Sequence, residues 1–212
     1  MLRTFILFLL TSTSLLGQEI PYKSFSGAIT YKVELMDSTM KKGAFQYYMR
    51  LYTNDTLVRT ETESINFGKQ ILIKHLKINK QYLLINFDNK KYAIQQTLTK
   101  DTLPSKYSFE FKPKHKKFGR KKSLLAITKI KNIPISFNTY FYPELNPIYL
   151  DILKGIKGLP AQYYLPSENG LLRYTVVEIQ EAYLPPSTFL FSKDYTKITF
   201  DEFIDIVTKE KK

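Results

Sequence analysis

The chain has 212 residues and a formal net charge of +13, with 32 Lys and Arg against 19 Asp and Glu. It contains no cysteine and only two histidines. Disulfide stapling and thiolate metal centres are therefore excluded, and packing alone must hold a chain long enough for one sizeable core.

The chain starts Met1-Leu2-Arg3-Thr4, runs apolar from Phe5 to Leu10, turns small and polar over Thr11 to Ser14, and reaches Gln18 through Leu15-Leu16-Gly17. A basic residue, a short apolar run and a small residue at the cut make the pattern of a secretory signal peptide over residues 1–17. The run is far shorter than the roughly 20 residues of a membrane helix. No later stretch is long and apolar enough either, so no transmembrane span is expected once the signal is removed. Residues 18–212 are expected to form a single exported β-rich domain in the periplasm or cell envelope. With no cysteine, a lipid-modified N-terminal cysteine is not expected.

Period-two alternation dominates the rest of the chain. Ile29, Tyr31, Val33 and Leu35 alternate with Ala28, Thr30, Lys32 and Glu34. Phe45, Tyr47, Met49 and Leu51 alternate with Ala44, Gln46, Tyr48 and Arg50. Both stretches read as half-buried strands. Thr53-Asn54-Asp55 turns the chain into a more polar strand over 56–65, with Arg59, Glu61 and Glu63 on one face. Residues 70–78, 81–87 and 91–96, separated by polar turns, continue an antiparallel meander.

Residues 98–105 read as a loop, and Tyr107, Phe109 and Phe111 open another strand. A basic run from Lys112 to Lys122 leads to strand character at 124–130 and 135–141, with Pro134 marking an edge or bulge. Asn146 and Pro147 are placed to start a short helix over 148–154 that Gly155 ends. Residues 161–165 and 171–181 form a hairpin. After Pro185-Pro186, Thr199 and Glu202 have capping-box spacing, with Phe200, Phe203, Ile204 and Val207 on one helical stripe.

The expected fold is mainly β, a strongly curved antiparallel sheet or open barrel with a short helix and a C-terminal helix. Two helices offer too little area to cover so many strands, so the sheet must curl to hide its apolar side. The concave side is then either packed solid or hollow.

Three segments carry a family resemblance. Ser26-Gly27-Ala28-Ile29-Thr30-Tyr31 is similar to an opening Gly-x-Ile-x-Tyr strand, and Lys157-Gly158-Leu159-Pro160 to a Gly-Leu-Pro signature. Phe189-Leu190-Phe191-Ser192-Lys193-Asp194-Tyr195 is similar to a closing Phe-x-Ile-Pro-x-x-Tyr pattern. Together they resemble the GLPGLI-type exported proteins of Bacteroidetes and related uncharacterised families. Ala161-Gln162-Tyr163 departs from the Gly-Leu-Ile that names the family, and Ser192 stands where proline is expected. The strand order is also similar to that of periplasmic lipoprotein carriers, whose concave apolar face holds acyl chains. The resemblance implies no catalytic residues.

Two sets of residues are candidates for binding. Ile29, Tyr31, Val33, Phe45, Tyr47 and Met49 are the expected inward set, which lines a cavity for a lipid-like or hydrophobic ligand if the sheet is hollow. Lys112, Lys114, Lys116, Lys117, Arg120, Lys121 and Lys122, with Phe118 among them, form a basic loop suited to anionic headgroups or polymer, or simply a solvated hairpin tip. The leading expectation is a non-enzymatic envelope protein with a hydrophobic ligand. The alternative is a basic-surface adaptor for an anionic envelope surface or protein partner. Export argues against nucleic acid as a partner.

Catalytic chemistry finds little support. His75 and His115 are far apart, and no metal or cofactor is expected. There is no Gly-x-Ser-x-Gly elbow and no Gly-rich phosphate loop. Glu61 with Glu63, and Asp201 with Glu202, read as a solvated strand face and a helix N-terminus.

Overall fold

The computed structural model describes residues 22–37, 39–64, 68–78, 80–97 and 105–209. The expected signal peptide and nearly all of the 98–105 loop lie outside the described residues.

The fold is mainly β. Its strands are β1 (Ser26–Met36), β2 (Gly43–Asn54), β3 (Leu57–Ser64), β4 (Gly68–His75), β5 (Lys80–Phe87), β6 (Lys90–Thr97), β7 (Tyr107–Phe118), β8 (Lys121–Ile130), β9 (Ser136–Tyr142), β10 (Leu159–Ser167), β11 (Gly170–Glu181) and β12 (Thr196–Thr199). They form one sheet in the order β12-β6-β5-β4-β3-β2-β1-β11-β10-β9-β8-β7. The sheet is not closed: β7 and β12 are its edges. It is mixed rather than antiparallel throughout, because β12 pairs parallel with β6. The chain crosses a face of the sheet between β11 and β12, and so reaches the far edge running in the direction of β6.

One α-helix, α1 (Phe200–Lys209), ends the described chain. Its N-terminus has the expected reciprocal cap. Thr199 Oγ1 accepts from Glu202 N at 3.2 Å, and Glu202 Oε2 accepts from Thr199 N at 2.6 Å. The helix expected over 148–154 shrinks to a 3₁₀ turn at Pro147–Tyr149. Asn146 caps it as the sequence implies, but Asp151 at φ +53° takes the backbone out of helical geometry.

Pairing registers assign each side chain to a face. Ile29 lies opposite Leu51, and Leu51 opposite Thr60. Tyr52 lies opposite Arg59, Arg59 opposite Ile73, and Ile73 opposite Tyr82. One face therefore carries Ile29, Tyr31, Val33, Met49, Leu51 and Val58. The other carries Tyr52, Leu57, Arg59, Ile73 and Tyr82.

The first face is packed. Leu145, Tyr149, Leu150, Leu153 and Ile156, from the connection between β9 and β10, are all buried in one cluster with Ile29, Tyr31, Val33, Met49 and Leu51. Polar groups anchor this plug. Lys74 Nζ donates to Leu150 O at 3.2 Å, and the Tyr149 hydroxyl donates to Asp55. Tyr31 donates to Pro160 O at 2.8 Å. At Gly158, φ +148°, a Cβ would sit 2.2 Å from Tyr142 O, so only glycine allows the plug to enter β10 this closely. Farther along the same face, α1 sets Phe203 against the rings of Phe87 and Tyr92, with centroids 5.9 and 6.0 Å away.

Two hydroxyls in the packed face differ sharply. The Tyr163 ring stacks on Tyr174 at 4.7 Å and meets Tyr31 edge-on at 5.9 Å. Its hydroxyl is buried with no hydrogen-bond partner. Tyr163→Phe is expected to stabilise the protein by about 1 kcal/mol, whereas Tyr31→Phe removes the hydrogen bond to the Pro160 carbonyl and destabilises it by about 1–2 kcal/mol. Urea unfolding of both variants checks this, and a loss of stability in both contradicts it.

Candidate functional site

After Glu181 the chain crosses the second face. A 3₁₀ turn at Pro186–Phe189 presses Phe189, 3% exposed, into a cluster with Ile73, Leu84 and Ala93. Arg59 holds the crossing in place: its Nη1 donates to Thr188 O at 3.2 Å and to Leu190 O at 3.5 Å. Glu61 fixes the guanidinium from below, accepting from Nε at 2.9 Å and pairing with Nη2 at 2.8 Å. Lys69 Nζ lies 2.9 Å from the other Glu61 oxygen. Burial pushes the Glu61 carboxyl up, but hydrogen bonds and charge from Lys69 and Arg59 outweigh it and hold the group below its usual range.

Below its anchored part, the crossing leaves a pocket of about 730 Å³ against β3, β4 and β5. Leu57, Ile73, Tyr82, Phe189, Phe191 and Tyr195 make its walls largely apolar. Ile78 and Leu190, 61% and 69% exposed, also line it and place apolar surface at its mouth. Lys80, Ser192, Lys193 and Lys197 complete the lining with His75, whose Nδ1 is buried without a hydrogen-bond partner. The Lys80 ammonium lies 5.2 Å from the Tyr82 ring centre and that of Lys197 5.8 Å from Phe191.

None of the six residues read as a cavity lining borders this pocket. Ile29, Tyr31, Val33 and Met49 are buried in the packed face, with Tyr47 half-buried beside them. Phe45 leaves that face altogether and is 51% exposed. A bulge places Tyr47 opposite Val33 but Phe45 opposite Glu34, which reverses the alternation at this point.

The basic run is a hairpin, not a loop. β7 continues to Phe118, Gly119 (φ +51°) and Arg120 (φ +67°) make the turn, and β8 begins at Lys121. Phe118 is 6% exposed and packs on Tyr140 at 5.3 Å, while its carbonyl accepts from Tyr142 at 2.8 Å. It therefore points into the core and not toward an interface. Lys112 pairs with Glu110, and Lys121 lies 3.4 Å from Glu144 and 3.6 Å from Glu181. Lys116 covers the rings of Phe118 and Tyr140. Lys114, Lys117, Arg120 and Lys122 are exposed. Because β7 is a sheet edge, its lysines, Pro113 and the bulge between Lys112 and His115 deter pairing with another strand.

The pocket was not read from the sequence, although a signal was present. Phe189, Phe191 and Tyr195, from the segment that carries the closing family resemblance, provide much of its wall. Among the described residues, no group of three His, Cys, Asp or Glu is placed to hold a metal ion, and no helix is long and apolar enough to cross a membrane.

No protein-family model and no curated protein matches the chain. Among solved structures, the chain is similar to an uncharacterized conserved protein from Thermus thermophilus. The two are 10% identical with a TM-score of 0.49, over 82% of this chain and 91% of the other.

Proposed function

We propose that this is an exported, non-enzymatic envelope protein that binds a hydrophobic, lipid-like ligand in the pocket beneath residues 184–197. The observation that carries the reading is the pocket itself: about 730 Å³, walled by aliphatic and aromatic side chains. That volume falls within the roughly 300–1,000 Å³ of small-molecule sites. Export rests on the signal-like pattern of residues 1–17. A strongly bent, open-barrel sheet is supported by the approach of the β7–β8 turn to β11, where a Cβ on Gly119 would lie 3.0 Å from Val176 and 3.1 Å from Ile179. In such a sheet the plug fills the inner side, and the ligand lies under the crossing on the outer side. The basic-surface adaptor is the weaker reading, because edge protection and local pairing already account for much of the basic hairpin.

Straight-chain alcohols test the proposal without help from charge. Affinity is expected to rise up to about fourfold per added methylene, from roughly 0.8 kcal/mol for each CH₂ buried. Leu57→Trp, which sets an indole in the pocket from β3, is expected to weaken decanol binding at least about tenfold while the fold persists. Native mass spectrometry and fluorescent-probe displacement read both effects. No uptake of any alcohol sinks the proposal.

A further inference from the structure

We infer that the ligand of this pocket is an anionic amphiphile, an alkyl chain bearing a carboxylate or phosphate head. The inference rests on the pocket-binding reading and adds the head group to it. Lys80 from β5, Lys193 from the crossing and Lys197 from β12 bring three cations to one apolar pocket. Among the described residues, none of the three has an acidic partner, although paired lysines lie nearby. Lys69 is bound by Glu61 at 2.9 Å, and Lys91 lies 3.7 Å from Asp194. Among the described residues, Glu61 and Asp194 pair with these other cations and not with Lys80, Lys193 or Lys197, so the three lysines give the pocket a positive lining.

Lys193 and Lys197 are exposed and Lys80 is half-buried, so water solvates them while the pocket is empty, and the low-dielectric walls focus their field on an anion whose chain enters. Lys80 and Lys197 rest against rings that themselves line the pocket, which brings their ammonium groups close to the apolar wall. His75, across the β4–β5 pair from Lys80, adds a buried nitrogen that the fold leaves unmet. Flexible lysines act as point charges and suit carboxylate and phosphate alike. The apolar walls take the chain and the cations take the head.

The experiment compares decanol, decanoate, decyl phosphate and inorganic phosphate on the full-length mature protein at about 50 mM and about 300 mM salt. At low salt, at least one of the chain-bearing anions is expected to bind about tenfold more tightly than decanol, with the advantage shrinking at high salt. The preferred anion names the head. In the K80Q/K193Q/K197Q variant, both anions are expected to fall to the affinity of decanol. Equal binding of decanol and both anions overturns the head-group inference and leaves the pocket reading standing. So does an anion preference that survives in the triple variant, or inorganic phosphate binding as tightly as decyl phosphate. Failure of decanol to bind overturns the pocket reading, and this inference with it.

Discussion

Above about pH 10 the protein is expected to unfold cooperatively and to release tyrosine protons in the same transition. Burial is the main cause that raises the hydroxyl pKa values of Tyr31, Tyr142, Tyr149, Tyr163 and Tyr174 above the ordinary 10.0. Neighbouring groups add to it: Tyr142 beside Tyr31, Glu144 beside Tyr142, Asp55 beside Tyr149, Tyr31 beside Tyr163, and Tyr47 beside Tyr174. A group whose folded value is raised contributes its stability in full below the unfolded value, and that contribution disappears as pH climbs toward the folded value. Each such tyrosine costs about 1.4 kcal/mol per pH unit in that window. Five together remove about 7 kcal/mol per unit, enough to exhaust a typical 5–15 kcal/mol within one to two units. Tyrosinate absorbance and far-ultraviolet circular dichroism should therefore change together. Full tyrosinate formation while the dichroism remains native contradicts the prediction.

The second large effect concerns Arg59. Arg59→Met leaves the carbonyls of Thr188 and Leu190 without their donor and strips Glu61 of two of its contacts. Losing one partner of a fully buried pair costs about 3–5 kcal/mol. Here the two side chains retain 19% and 14% exposure, so about 2–3 kcal/mol is expected. The crossing should loosen, taking the pocket wall with it. Hydrogen exchange at the amides of 189–195 should accelerate, decanol binding should weaken at least about tenfold, and amides in β1 and β11 should stay protected. Glu61→Gln keeps an acceptor for the guanidinium and is expected to do less damage. Unchanged exchange over 189–195 in Arg59→Met would show that the apolar contacts of Phe189, Phe191 and Tyr195 hold the segment without it.

Much of the β pattern is legible in the sequence because alternation is a property of neighbouring residues. Ile29, Tyr31 and Val33 are all fully buried, as their spacing implies. The Thr199–Glu202 cap is legible for the same reason, since both partners lie within one turn. Where a local rule meets a long-range constraint, the local reading fails. Phe45 keeps the period of its strand on paper, but the bulge against β1 turns it outward. Residues 148–154 look helical in isolation, but the plug wraps over Tyr31 and Lys74 in another shape.

By itself, the sequence determined that this is a cysteine-free, strongly basic, β-rich chain with a capped C-terminal helix, since composition, alternation and capping act over a few residues. Only the tertiary structure decided which face is filled and which retains a pocket. That outcome depends on Arg59 meeting the carbonyls of Thr188 and Leu190, about 130 residues away along the chain, and on the crossing that brings β12 alongside β6. Contacts between segments so far apart leave no periodic trace in either one, because each satisfies its own pleat whichever partner covers it.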